Sequence, residues 1–282
     1  MLFALLTLIA CQPEQEYPEF DAIVRVQHAA DGVEGAVDAI PSPAGDDLYF
    51  LTDGDASTAY VVTDDGPSAL ASFTGARSLA IGGDGWIYAA DPVADGLYMA
   101  STDGSLPEVV PETSGFQPSA VHIGTAITLA GIDPTSGEPA LWKIPGVGQN
   151  PESIVNTLHQ EITGLAVASD GTIYAAGESR LYQIQNREVT LLGRDLLLGS
   201  PAGVALTPYE DAVMVSSYSN AGTPQLLVFD RETNDRYVIN DGFEEMTGAG
   251  GLHRALEARE TYAFVDPSGA NGEGSVYTLT LE

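Results

Sequence analysis

Four histidines, at positions 28, 122, 159 and 253, are the side chains of this sequence best suited to proton or ligand chemistry near neutral pH. Two of them share a setting. Ala120-Val121-His122-Ile123 and Gly251-Leu252-His253-Arg254 are both small–aliphatic–His phrases followed by a polar stretch and then an apolar run. Asp38 holds the same place in Ala36-Val37-Asp38-Ala39. If these phrases are equivalent strands around an axis, Asp38, His122, His253 and the neighbouring Arg254 converge on a polar channel site. The alternative is that they are hydrogen-bonded polar residues of a solvated channel. A second set is carboxylic: Glu34, Asp53, Asp91, Asp133, Glu178 and Asp266 fall in loops. Gathered on one face they would form an acidic ring for a cationic peptide, a sugar or Ca²⁺, unless they only reflect the acidity of the whole chain. Phosphate-loop, serine-elbow and His-Glu-x-x-His phrases are all missing from the sequence.

That acidity is pronounced. Forty acidic residues face ten basic ones, for a net charge of −30, and Lys143 is the sole lysine. A field of this sign repels phosphate backbones and anionic headgroups, which removes nucleic acid from the partner classes. Because the acids are scattered, they read as a solvated surface.

The single cysteine, Cys11, excludes an internal disulfide. Residues 1–10 are an apolar run, too short to span a bilayer and of the length of a signal-peptide core. Leu8-Ile9-Ala10-Cys11 resembles the bacterial lipobox, in which cleavage precedes a cysteine that then carries lipid. No Lys or Arg precedes the run, a departure from that pattern which a mis-assigned start codon would explain. The expected organisation is a signal peptide over 1–10, a lipidated Cys11 with a flexible acidic tether over 11–20, and one domain over 21–282. Gln12, in place of a retention Asp, favours the outer membrane of a Gram-negative-type cell envelope.

The elements that must position the candidate residues are repeats. Blade two reads Ser78-Leu79-Ala80-Ile81, turn Gly83-Asp84-Gly85, strand Trp86-Ile87-Tyr88-Ala89-Ala90; blade four reads Gly164-Leu165-Ala166-Val167, turn Ser169-Asp170-Gly171, strand Thr172-Ile173-Tyr174-Ala175-Ala176. Four weaker copies start near residues 36, 120, 203 and 251, with Tyr49, Tyr88, Thr128, Tyr174, Met214 and Tyr262 as equivalent positions. Third strands follow, for example Leu97-Tyr98-Met99 and Leu141-Trp142-Lys143, and weaker fourth strands after them. A period near 40 residues fits one four-stranded blade per repeat. The Asp-Gly pairs serve tight turns. Blade six lacks a fourth strand before the chain ends at Glu282, whereas residues 22–26 form an unassigned strand ahead of blade one. Pairing the two closes a six-bladed β-propeller and hides a sheet edge.

These phrases resemble the NHL repeat and the SMP-30/gluconolactonase group. That resemblance implies a six-bladed ring and, in its enzymatic branch, a divalent metal held by a Glu, two Asn and an Asp just ahead of inner strands. Glu34-Gly35 is similar to the Glu phrase, but Pro201-Ala202-Gly203 puts Ala202 at an Asn position, and Thr247-Gly248-Ala249-Gly250 lacks the Asp. One ligand in four does not hold Mg²⁺ or Ca²⁺. The reading is therefore a monomeric envelope lipoprotein whose propeller binds a protein or small molecule without catalysis. The alternative is a lactonase- or arylesterase-type hydrolase with a degenerate site.

Overall fold

The computed structural model describes residues 17–30, 33, 35–53, 56–156, 158–269 and 274–282. Six four-stranded antiparallel sheets stand around an axis, and each of blades one to five is built from four consecutive strands. In blade three these are Gln117–Ile123, Ile127–Ile132, Pro139–Ile144 and Glu152–Val155, counted from the axis outwards. Inner strands run from the inter-blade loops towards the turn that leads into the second strand. This turn end and the loop end are the two faces of the disc.

Composition follows position in the wedge. The inner strands bury many small residues, Ala39, Ala80, Ala120, Ala166 and Ala205, beside branched ones such as Leu79, Val121 and Leu165. Farther out the gap widens and takes Tyr49, Trp142, Tyr174, Phe229 and Tyr262. Each such large side chain contributes about 1.5–3 kcal/mol by leaving water. Second strands such as Trp86–Asp91 are buried on both faces, so they read as continuous apolar runs.

The ring closes as expected. Val24–Ala30 pairs antiparallel with Ser275–Leu281, with Val26 opposite Leu279, and forms the outer strand of blade six. The strand starts two residues later than its sequence pattern suggests, although Ile23 still exchanges both backbone hydrogen bonds with Glu282. Residues 17–20, read from the sequence as tether, instead lie on blade five. Glu19 forms a parallel bridge with Val238, and the Arg236 guanidinium donates to the Tyr17 hydroxyl at 3.1 Å. Cys11, the run before it and Glu34 lie outside the described residues.

Inner-strand register departs from the alignment of phrases. The ladder partners of Tyr49, Tyr88, Thr128, Tyr174, Met214 and Tyr262 are Ile40, Ala80, His122, Ala166, Ala205 and Arg254. Thus the counterpart of His122 in blade six is Arg254, and in blade one it is Ile40. The bulge between Ala36 and Asp38 is not the cause, because blade three has the equivalent one between Pro118 and Ala120; beyond it Asp38 matches Ala120 and Ile40 matches His122. In blade six the ladder makes Leu252 the counterpart of Ser78 in blade two, so the phrase opens one residue later than its glycine, Gly251, suggests. A one-residue slip moves a side chain to the other face of its sheet. His122 and His253 therefore do not oppose one another at one level of the channel.

Candidate functional site

The two ends of the axis differ. At the loop end, successive inner strands approach closely at glycines, Gly164 and Gly203 against neighbouring backbone and Gly251 against the Asp38 side chain. A Cβ on Gly164 would stand 2.1 Å from the Ala202 carbonyl oxygen, one on Gly203 would stand 1.9 Å from the Leu252 nitrogen, and one on Gly251 would stand 2.1 Å from Asp38 Oδ1. Blades four, five, six and one are thereby pinched together where the lactonase resemblance would seat a metal. Ala202 is buried there and brings only a methyl group. Among the described residues, no three of His, Cys, Asp or Glu are placed to share a metal ion. The residues present do not fit the implied divalent cation.

The turn end is open. A cavity of about 320 Å³ occupies the axis there and extends sideways between blades three and four. One substitution in the repeat makes that side space. The row next to the inner strand carries Tyr in four blades and Met214 in blade five, but Thr128 in blade three. Across the ladder, Thr128 stands between His122 and Lys143, so these three share one face of blade three. That face looks onto blade four, whose Leu165 and Ile173, with Ile154 of blade three, supply the apolar wall.

Charge in this cavity runs against the rest of the molecule. Lys143, Arg254 and Arg259 line it, three of the ten basic residues, and among the described residues Glu210 is the only carboxylate in the lining. Glu210 sits at φ +60° in the turn between the first two strands of blade five. Its Oε2 accepts from the Ser169 backbone N–H at 2.8 Å and hydroxyl at 2.7 Å, and its Oε1 pairs with Arg254 at 2.9 Å and Arg259 at 3.5 Å. Arg231 fixes the same turn by donating to the Glu210 carbonyl, to the Tyr174 hydroxyl and to Asp170. Burial pushes the Glu210 carboxyl up, but the Ser169 donors and Arg254 together outweigh it and bring it down to about 2. Arg254 also donates to the Thr207 carbonyl, and beneath it the buried Tyr262 hydroxyl donates to Leu206 at 2.9 Å.

His122 lies in the lining with part of its ring still touching channel solvent. Desolvation, then the nearby His253 and Arg254, lower its pKa to about 4, against a weaker upward pull from Glu210. It is neutral at pH 7, and no hydrogen bond to it is found among the described residues. His253 does have a partner: its Nε2 lies 2.9 Å from Asp38 Oδ1. The other Asp38 oxygen accepts from the Leu79 N–H at 2.8 Å. Asp38, in blade one, thereby ties blade six to blade two, and this polar pair is a seam of the ring.

Of the candidates expected to converge, His122, His253 and Arg254 do line one cavity, with Asp38 behind His253. The loop carboxylates stand at the opposite end of their strands. Asp91 is fully buried and accepts from the N–H groups of Val93, Ala94, Thr74 and Gly75. Asp266 repeats this clip in blade six with Ser268, Gly269 and Thr247. Asp133 caps its own loop through Thr135 and Ser136, while Asp53 and Glu178 are exposed. Glu210, Arg259, Lys143 and Thr128 were not among the sequence-derived site residues. A signal existed for two of them, because Thr128 interrupts an aromatic row and Lys143 is the sole lysine two strands along that row.

No protein-family profile matches the chain, and no curated protein resembles it detectably in sequence. Solved structures do share its architecture. A gluconolactonase from Xanthomonas campestris superposes with a TM-score of 0.64 at 14% identity, covering 96% of this chain and 99% of that one. A chain of the nidogen–laminin complex gives 0.65 at 11% identity over 83% and 99%, respectively. Virginiamycin B lyase from Staphylococcus aureus gives 0.55 at 11% over 93% and 100%. The chain is a six-bladed β-propeller similar in fold to enzymes and to a member of a protein–protein complex. Identities this low carry the fold alone.

Proposed function

We propose that this protein is an envelope-displayed binding propeller, anchored through lipid on Cys11, that takes a small molecule into the turn-end cavity without transforming it. The observation that carries the reading is the cavity itself: it is of ligand size, walled by aliphatic side chains, and has a few convergent polar groups at its rim. The hydrolase alternative finds less support. The loop end is pinched, and the His122 ring has neither a hydroxyl nor a carboxylate at hydrogen-bonding distance among the described residues, so a nucleophile–base–orienter chain is not assembled around it.

Thermal unfolding of the purified chain against a small-molecule panel tests the reading. A ligand at a hundred times its Kd stabilises by about 2.7 kcal/mol, which is readily seen as a raised Tm, while millimolar Ca²⁺ leaves Tm unchanged. Ca²⁺-dependent turnover of a lactone or aryl ester would overturn the non-catalytic reading. The anchor is tested separately. Cys11→Ser shifts the protein from the membrane pellet to the soluble fraction, and an unaltered distribution would remove the lipid from the proposal.

A further inference from the structure

The charge reversal inside the cavity narrows what it accepts. The chain carries −30 overall, yet among the described residues the lining holds three basic side chains against one carboxylate, a formal excess of two positive charges. The lone carboxylate is already committed. Both Glu210 oxygens are engaged by Ser169, Arg254 and Arg259, so Glu210 is unavailable to receive a cationic ligand. The cations are not equally committed. Arg254 is spent on Thr207 and Glu210, with a side chain 15% exposed, whereas the Arg259 side chain is 49% exposed and, among the described residues, its only ion pair is the 3.5 Å contact. Lys143 stands on the ladder between Thr128 and Glu152, makes no ion pair within 4.0 Å among the described residues, and borders the space left by Thr128.

We infer that the turn-end cavity selects a small organic carboxylate, its charge met by Lys143 with support from Arg259 and the His122 N–H, and its apolar body lodged against Ile154, Leu165 and Ile173 in the seam that Thr128 leaves open between blades three and four. This rests on the binding reading above and adds the chemical class of the ligand. The ligand class follows from the lining: charge-assisted hydrogen bonds are the strong ones, and a wall that is mainly aliphatic disfavours a heavily hydrated polyanion. The neutral state of His122 is compatible with this, since a neutral imidazole keeps one N–H that can donate to an anion.

The experiment uses the full chain and two matched pairs, octanoate with octanamide and phenylacetate with phenylacetamide, followed by calorimetry and thermal shift. Each carboxylate is expected to bind at least tenfold more tightly than its amide. Lys143→Met is expected to cost the carboxylates tenfold or more and to leave the amides unaffected. Arg194→Gln, which removes an exposed positive charge outside this cavity, is expected to change neither. Thr128→Tyr restores the side chain that four other blades carry and is expected to abolish binding of both pairs with no loss in Tm. Equal binding of carboxylate and amide, or full carboxylate affinity in Lys143→Met, would overturn the charge selection while leaving a ligand cavity in place. Absence of binding by all four compounds would overturn both the ligand class and the cavity's role.

Discussion

His122 shows what burial among cations does to one ring. Its pKa lies at about 4 in the folded protein against 6.5 for the free side chain. Between these values the unfolded chain binds a proton that the folded chain does not, so stability falls as pH is lowered through this window. The loss is on the order of 2–3 kcal/mol by pH 4. His122→Gln is expected to flatten the urea midpoint over that range, and an unchanged pH slope would show that the ring is not held neutral. Glu210 acts lower down. Its carboxyl falls to about 2 from 4.5, so its stabilisation is complete above 4.5 and is lost as pH drops towards 2. Glu210→Gln is therefore expected to diverge from the parent above pH 4.5 and to converge with it near pH 2.

The loop carboxylates belong to the scale of elements. Asp91 and Asp266 end equivalent second strands, and each turns its buried carboxylate onto backbone N–H groups of two loops. Stranding these donors costs about 1–3 kcal/mol for each left without a partner. Asp91→Ala is expected to destabilise by about 2–4 kcal/mol, read from the denaturant midpoint, and Asp266→Ala similarly. Asp133→Ala serves as the contrast, with no measurable change expected, because its carboxylate is solvent-exposed. An Asp91 variant as stable as the parent would return that residue to the pool of candidate ligands. The sequence displayed all three as acids in loops of the same kind. What separated them was whether a neighbouring loop turned its amides inward, and that is a long-range property no local pattern carries. Register had the same limitation. Blade count, strand order and the closing pair were legible because aromatic and aliphatic residues recur at a fixed spacing. The face on which His253 emerges depended on a slip of one residue past Gly251, which hydrophobic alternation does not mark. Thr128 was visible as an odd member of an aromatic row, but its meaning as an opening required the neighbouring blade.

At the scale of the molecule, the ring depends on one seam. Val24–Ala30 covers the edge of Ser275–Leu281, and Val24 and Val26 pack with Leu279 and Leu281 in the core shared by blades five and six. Removing the residues up to Ala30 exposes that edge to pairing with other chains. The truncated chain is expected to lose about 10 °C or more in Tm, from several kcal/mol of lost packing and ladder bonds, and to elute partly as higher oligomers. A truncated chain that unfolds as a monomer at the parent's Tm would show that blade six does not need its borrowed strand.

The short segment on blade five bears on how the disc would sit in the envelope. Tyr17 lies beside Arg236, where the outer strand of that blade begins, and the segment then runs parallel to the strand towards Val238. The described polypeptide therefore enters from the rim of the turn end, the side on which the cavity opens. Five residues lie between Cys11 and Tyr17, so the six chain steps form a leash that reaches at most about 20 Å when fully extended. With its lipid in place, such a leash would hang the propeller mouth-down over the bilayer. An amphiphile leaving the membrane would then meet the opening before it met bulk water.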